Sequence, residues 1–178
     1  MHPAWRLATA LSFGFALVLA GCGFRSLYGD FGAADAARPD PNAQMAQVRI
    51  APLPDRIGQQ MHNLLRDRLN SAGQPRDPRY RLRVRLHEST ESLAIRRDET
   101  ATRANLTITA DFALEELASR EVVLEGQASS INSYNILTSQ FATYNAERDA
   151  RERSLRELSD DIRTRLGLYF SRARAAAP

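Results

Sequence analysis

Lysine is absent from this 178-residue chain, so all 24 basic side chains are arginine. A single cysteine, Cys22, excludes an intrachain disulfide and a cysteine-rich metal site. Histidine is scarce. His62 and His87 have no partner at His-x-x-x-His spacing and read as surface or boundary residues. There is no glycine-rich phosphate loop. Asp160 and Asp161 are adjacent on a predicted helix, where successive side chains diverge by about 100°, so they do not share a site. Charge of one sign is also missing: 24 basic residues face 21 acidic ones, which argues against a nucleic-acid binder with a basic stripe. With 43% hydrophobic and 25% charged residues, the composition is that of a single globular domain able to bury a core without staples. The convergent acids, bases or ligands that an enzyme needs are not found. The chain therefore reads as a non-enzymatic binding or assembly protein, with no cofactor other than a covalent lipid.

That lipid is expected at Cys22. Residues 1–21 have the form of a secretory signal: Arg6 near the start, then an apolar run from Leu7 to Ala20. The run is shorter than the ~20 residues of a membrane helix. It ends in Leu19-Ala20-Gly21-Cys22, which resembles the bacterial lipobox, where the thiol is acylated and the signal is cut before the cysteine. Several acyl chains make such an anchor effectively permanent. Gly23, rather than an aspartate, follows the cysteine and favours the outer membrane. Residues 22–45 are predicted to be the lipidated cysteine and a flexible tether, because Gly29 to Gln44 shows no apolar period. Residues 46–178 are predicted to form one domain.

Within that domain, Val48 and Ile50 alternate in a strand over Ala46–Pro52, ended by Pro52 and Pro54. Asp55 is a possible cap for a helix carrying Ile57, Met61, Leu64, Leu65 and Leu69. A second strand alternates Tyr80, Leu82, Val84 and Leu86 with Arg79, Arg81, Arg83 and Arg85. The pattern then breaks and resumes on odd numbers at Leu93 and Ile95, which predicts a bulge or bend. Arg96 to Glu99 read as a hairpin tip, and 87–102 as either an extended hairpin or a mobile loop. A third strand carries Leu106 to Leu114. A turn at Ala118–Arg120 leads to a fourth, with Val122, Leu124, Gly126 and Ala128 inward. A long helix from about Ser139 to Arg174 carries a stripe of Leu155, Leu158, Ile162, Leu166 and Tyr169. The order β-α-β-β-β-α predicts an α+β fold, with two helices packed on one face of a four-stranded mixed sheet. The first two strands are parallel, either neighbours or separated by one strand.

Two features ask for partners. Arg81, Arg83 and Arg85, with Arg79, place like charges on one strand face. They are either balanced by Asp111, Glu115 or Glu125 on neighbouring strands, or they form an anion-binding face. In the last helix, projecting the stripe backwards puts Phe141, Tyr144, Arg148 and Arg151 on the core face, with Ala142, Ala146 and Ala150 opposite. Two arginines cannot be buried bare. They either snorkel past the sheet edge, or this half meets another protein through Tyr144, Arg148 and Arg151.

The segment Cys22-Gly23-Phe24-Arg25-Ser26-Leu27-Tyr28-Gly29 resembles the start of the LPS-assembly lipoprotein LptE family in its alphaproteobacterial form, with Ser26 where proline is usual. The similarity continues through Ile57-Gly58-Gln59-Gln60, Tyr80-Arg81-Leu82 and Thr100 to Leu106. It extends to Ser133-Tyr134-Asn135-Ile136-Leu137, Ala146 to Ala150 and Leu168-Tyr169-Phe170. The resemblance implies an outer-membrane lipoprotein of a Gram-negative bacterium, seated as a plug in the LptD β-barrel. It would help assemble that barrel and bind lipopolysaccharide. It also implies two helices on a four-stranded sheet. The alternative is another outer-membrane lipoprotein with a structural or envelope-assembly role and no lipopolysaccharide binding. No family binding residue maps onto this chain by motif, so Arg81, Arg83 and Arg85 are candidates on physical grounds alone.

Overall fold

The computed structural model describes residues 40–93 and 102–176. Cys22, Ile95 and the predicted hairpin tip at Arg96–Glu99 lie outside the described residues. The elements run α1 (Pro41–Met45), β1 (Val48–Ile50), α2 (Asp55–Leu69), β2 (Tyr80–Leu93), β3 (Thr102–Glu116), β4 (Glu121–Ile136) and α3 (Gln140–Ala176). The sheet order is β1-β2-β3-β4, with β1 parallel to β2 and the other pairs antiparallel. The first two strands are thus direct neighbours. The two long helices cover one face, as the α+β reading expects.

Residues 41–45, read from the sequence as the end of the tether, form a helical turn instead. Asp40 accepts from the Asn42 N–H at 3.1 Å, and Pro41 stands at the first position, where its missing N–H costs nothing. Pro41, Gln44 and Met45 are buried. Strand β1 is only three residues long. Pro52 and Pro54, which cannot donate to a ladder, take the chain off the sheet. Leu53 then folds back onto Gly58, where an added Cβ would lie 2.8 Å from the Leu53 Cβ. Asp55 has a positive φ of 61°, and its carboxylate accepts from the Gly58 N–H at 2.9 Å, so it caps α2.

The bulge expected in β2 is absent. Its register with β3 runs without slip from Tyr80↔Glu116 to Leu93↔Arg103. The apolar pattern stops because cover stops. The helix-facing side of β2 continues as Glu88, Thr90 and Ser92, the last two exposed beyond the start of α2. Leu93 stands on the opposite, open face. The register shift lies instead at Leu114/Glu115, where Leu114 pairs with Leu124 and Glu115 with Val122. Val123 is the extra residue, so Val122 turns outward and is exposed rather than inward. Gly126 is required by its cross-strand partner. A Cβ there would meet the Phe112 ring at 2.9 Å.

Helix α3 has 37 residues, about 55 Å, and runs along strands of 14–16 residues, about 50 Å. Its buried ladder takes every fourth residue: Ala150, Ser154, Leu158, Ile162, Leu166 and Phe170. A step of four advances about 40° around the helix, so the contact stripe winds as it would over a twisted sheet. With Met61, Leu65, Leu82, Leu106, Ile108 and Leu114, this ladder makes the core.

Candidate functional site

The open face of the sheet carries the odd-numbered side chains of β2. Arg79 donates to the Glu116 carboxylate at 3.0 and 3.1 Å. Arg81 and Arg83 share Glu115, at 3.9 and 3.7 Å. Arg85 stands opposite Asp111, but that carboxylate accepts from the Gln127 amide at 2.8 Å. Arg85 makes no ion pair among the described residues. Arg49, opposite Arg81 on β1, turns away and donates to the carbonyls of Pro75 and Arg76 at 3.2 Å. The four-arginine ladder therefore faces three carboxylates, so the balance that the sequence allowed from neighbouring strands is met only in part. Arg79 is neutralised, Arg81 and Arg83 divide one negative charge, and Arg85 is left over. Beside the last two is a depression of about 560 Å³ lined by Arg83, Arg85, Asp111, Glu125 and Gln127. Both cationic and anionic side chains line it, beside Phe112 and Ala113.

The front of α3 departs from the backward projection. Ala150 is fully buried against the sheet, while Phe141 is 76% and Tyr144 52% exposed. The alanine side is the inner one, continuing the buried series of Ser154, Leu158 and Ile162. Arg148 is also outside, 3.7 Å from Glu152. Arg151 is half-buried and points inward. Its guanidinium donates to both oxygens of Glu88 at 2.8 and 2.9 Å, and to Glu147 at 2.5 Å. Those two carboxylates raise its pKa, Glu88 most. Tyr134 packs beside this cluster, and burial raises its phenol pKa. Tyr144 and Arg148 thus share a surface with Phe141, and Arg151 does not reach it. No local pattern points to Glu88 as the partner of Arg151, because 63 residues separate them.

A second polar group ties α3 to β4. The Asn132 amide donates to Ser154 at 2.9 Å, Ser130 at 3.1 Å and Glu157 at 3.2 Å, and the Ser130 hydroxyl donates to Glu157 at 2.5 Å. Among the described residues no cluster of three metal-ligating side chains occurs, and no helix is long and apolar enough to cross a membrane.

Three comparisons bear on this arrangement. The family model for LptE, described as lipopolysaccharide-assembly, matches residues 44–166. A crystal structure described as a lipoprotein from Caulobacter crescentus CB15 superposes with TM-score 0.64 at 18% identity, over 79% of this chain and 99% of that one. A minor lipoprotein from Acinetobacter baumannii gives TM-score 0.52 at 15% identity, over 68% of this chain and 90% of that one. At these identities both show the fold. No curated protein matches the chain.

Proposed function

The chain belongs to the LptE lipopolysaccharide-assembly family, and from this we propose that it is an outer-membrane lipoprotein that works by binding, without catalysis, in placing lipopolysaccharide at the cell surface. The family match across 44–166 carries the reading. In the finer form, residues 1–21 are the signal, Cys22 takes the lipid, and the chain up to α1 tethers the domain to the membrane. The domain then serves an LptD-type β-barrel as plug, assembly factor and lipopolysaccharide-binding subunit.

Arg81, Arg83 and Arg85 are the groups we assign to the lipid A phosphates. A phosphate offers more charge and more acceptor oxygens than the one carboxylate that Arg81 and Arg83 share at 3.7–3.9 Å. The test is lipopolysaccharide binding by the full chain in detergent, comparing wild type with Arg81→Ala/Arg83→Ala/Arg85→Ala. Loss of two or more charge-assisted contacts predicts binding weaker by tenfold or more, about 1.5 kcal/mol, with a shallower salt dependence. Unchanged affinity and salt dependence exclude the ladder. Affinity purification from outer membranes in mild detergent tests the partner. A near-stoichiometric large β-barrel is expected, and recovery of the lipoprotein alone while other barrel complexes stay intact would overturn the plug reading.

A further inference from the structure

Among the described residues the sheet is incomplete along β2. Strand β3 pairs with β2 over its whole length, but β1 reaches only Tyr80–Leu82. The Ala51 N–H adds one last bond to the Leu82 carbonyl at 2.9 Å. Pro52 and Pro54 then turn the chain into α2. By the alternation of a ladder, the N–H and C=O groups of Val84, Leu86, Glu88 and Thr90 face the same side as those of Leu82, which is the vacated side. Among the described residues no strand pairs with them there. Of the devices that blunt natural edges, residues 83–93 have no proline and no bulge, and their inward-facing charge, Glu88, is engaged by Arg151.

Two further observations fall at the same positions, one on each side of the sheet. On the helix side, a cavity of about 380 Å³ opens beside the edge, lined by Leu53, Pro54, Ile57, Val84, Leu86 and Ile108. The acids at its rim are engaged: Asp55 by the Gly58 N–H at 2.9 Å and Glu88 by Arg151 at 2.8 Å. On the open side stand Arg83, whose carboxylate at 3.7 Å is shared with Arg81, and Arg85, without an ion pair among the described residues.

We propose that the β2 edge from Val84 to Thr90 is a strand-addition site for an extended segment of a partner protein whose side chains alternate apolar and acidic. The segment continues the line of β1 past Pro52. Its backbone satisfies the outward groups of β2, its apolar side chains enter the cavity, and its acidic ones meet Arg83 and Arg85, which the segment and the lipid A phosphates occupy in turn.

The test uses the full chain in detergent and a labelled, end-capped nine-residue peptide alternating valine and glutamate, followed by fluorescence anisotropy. Saturable binding is expected, about tenfold weaker for the valine–lysine version. Arg83→Glu/Arg85→Glu should reverse that preference. Leu86→Pro should abolish binding, since it removes an outward N–H while leaving the ladder to β3 intact. Should that variant fail to fold, Thr90→Pro at the exposed end of the same edge should weaken binding. Photocross-linking from His87 should place the peptide along β2. Binding indifferent to peptide charge, binding unmoved by both prolines, or a cross-link from His87 to this chain's own residues or to a second copy overturns the proposal. Failure of lipopolysaccharide binding with peptide binding intact counts against the proposed function alone.

Discussion

From Leu155 to Phe170, α3 turns large apolar side chains into the core, Leu155, Leu158, Ile162, Leu166 and Phe170, each no more than 1% exposed. From Ala142 to Ser154 the same ladder carries only alanine and serine. Its long side chains either reach inward as an ion pair, as Arg151 does to Glu88, or stand in solvent, as Phe141 and Tyr144 do. The rear half is held by buried area, which is large and non-directional. The front half is held by a fork of charged hydrogen bonds and the Asn132 network, which fix position more than they add stability. Small side chains there bring the helix backbone close to β4, and that closeness lets Asn132 reach Ser154. The half that contributes least burial is also the half that exposes Phe141, Tyr144 and Arg148, where a partner would be met at least cost to the fold.

The contrast is broken most strongly from the rear. Ile162→Ala should cost about 3 kcal/mol in urea unfolding, because the surrounding ladder cannot collapse into the space. A loss under about 1 kcal/mol would mean that the rear half is not the anchor. Next comes Ala150→Leu, which adds bulk where the helix lies closest to the sheet. Overpacking should cost about 2 kcal/mol, and a neutral or stabilising result would show a gap beneath the front half. Arg151→Met should follow, at about 1–2 kcal/mol, because it leaves Glu88 and Glu147 partly buried and without their cation. Adding Glu88→Gln should then recover part of that loss. Strict additivity of the two changes would sink the coupling.

Sequence patterning predicted the architecture because alternation and helical spacing are local signals. The arginine strand, the third strand and the rear stripe of α3 show them without interruption. The misreadings share one cause, which is that cover by a distant element does not show in a strand's own residues. Leu86 ends the apolar pattern of β2 because α2 begins there, not because the backbone bulges. The backward projection of α3 fails for Phe141, Tyr144 and Arg148 and holds for Arg151, because the inner series runs through Ala150 and Ser154 and alanine gives a weak apolar signal. The ladder of Arg81, Arg83 and Arg85 was legible. Its partial neutralisation by Glu115 depended on a register that no spacing fixes. The vacant edge was invisible, since it depends on how little of Ala46–Pro52 pairs.

The rear half of α3 also has an ion pair with a neighbouring element. Arg68 on α2 donates to both Asp160 oxygens on α3, the Arg68 Nη2 to the Asp160 Oδ2 at 3.1 Å. Asp160 is 63% exposed, whereas Glu88 is 24% exposed. The hydrogen bond from Arg68 lowers the pKa of Asp160, with Arg163 adding to the effect. A carboxylate lowered on folding contributes stability at pH values above its unfolded pKa, and that contribution is lost as pH falls through the folded value. The rise in the Arg68 pKa adds nothing in this range, because arginine stays charged throughout. Asp160→Asn should therefore cost only about 0.5 kcal/mol at neutral pH, since solvent screens so exposed a pair. The difference from wild type should disappear below the lowered pKa of Asp160. Denaturant unfolding at both pH values measures it. A loss as large as that of Arg151→Met, or one that persists in acid, would show that ionic contacts matter equally along the helix and would remove the contrast between its halves.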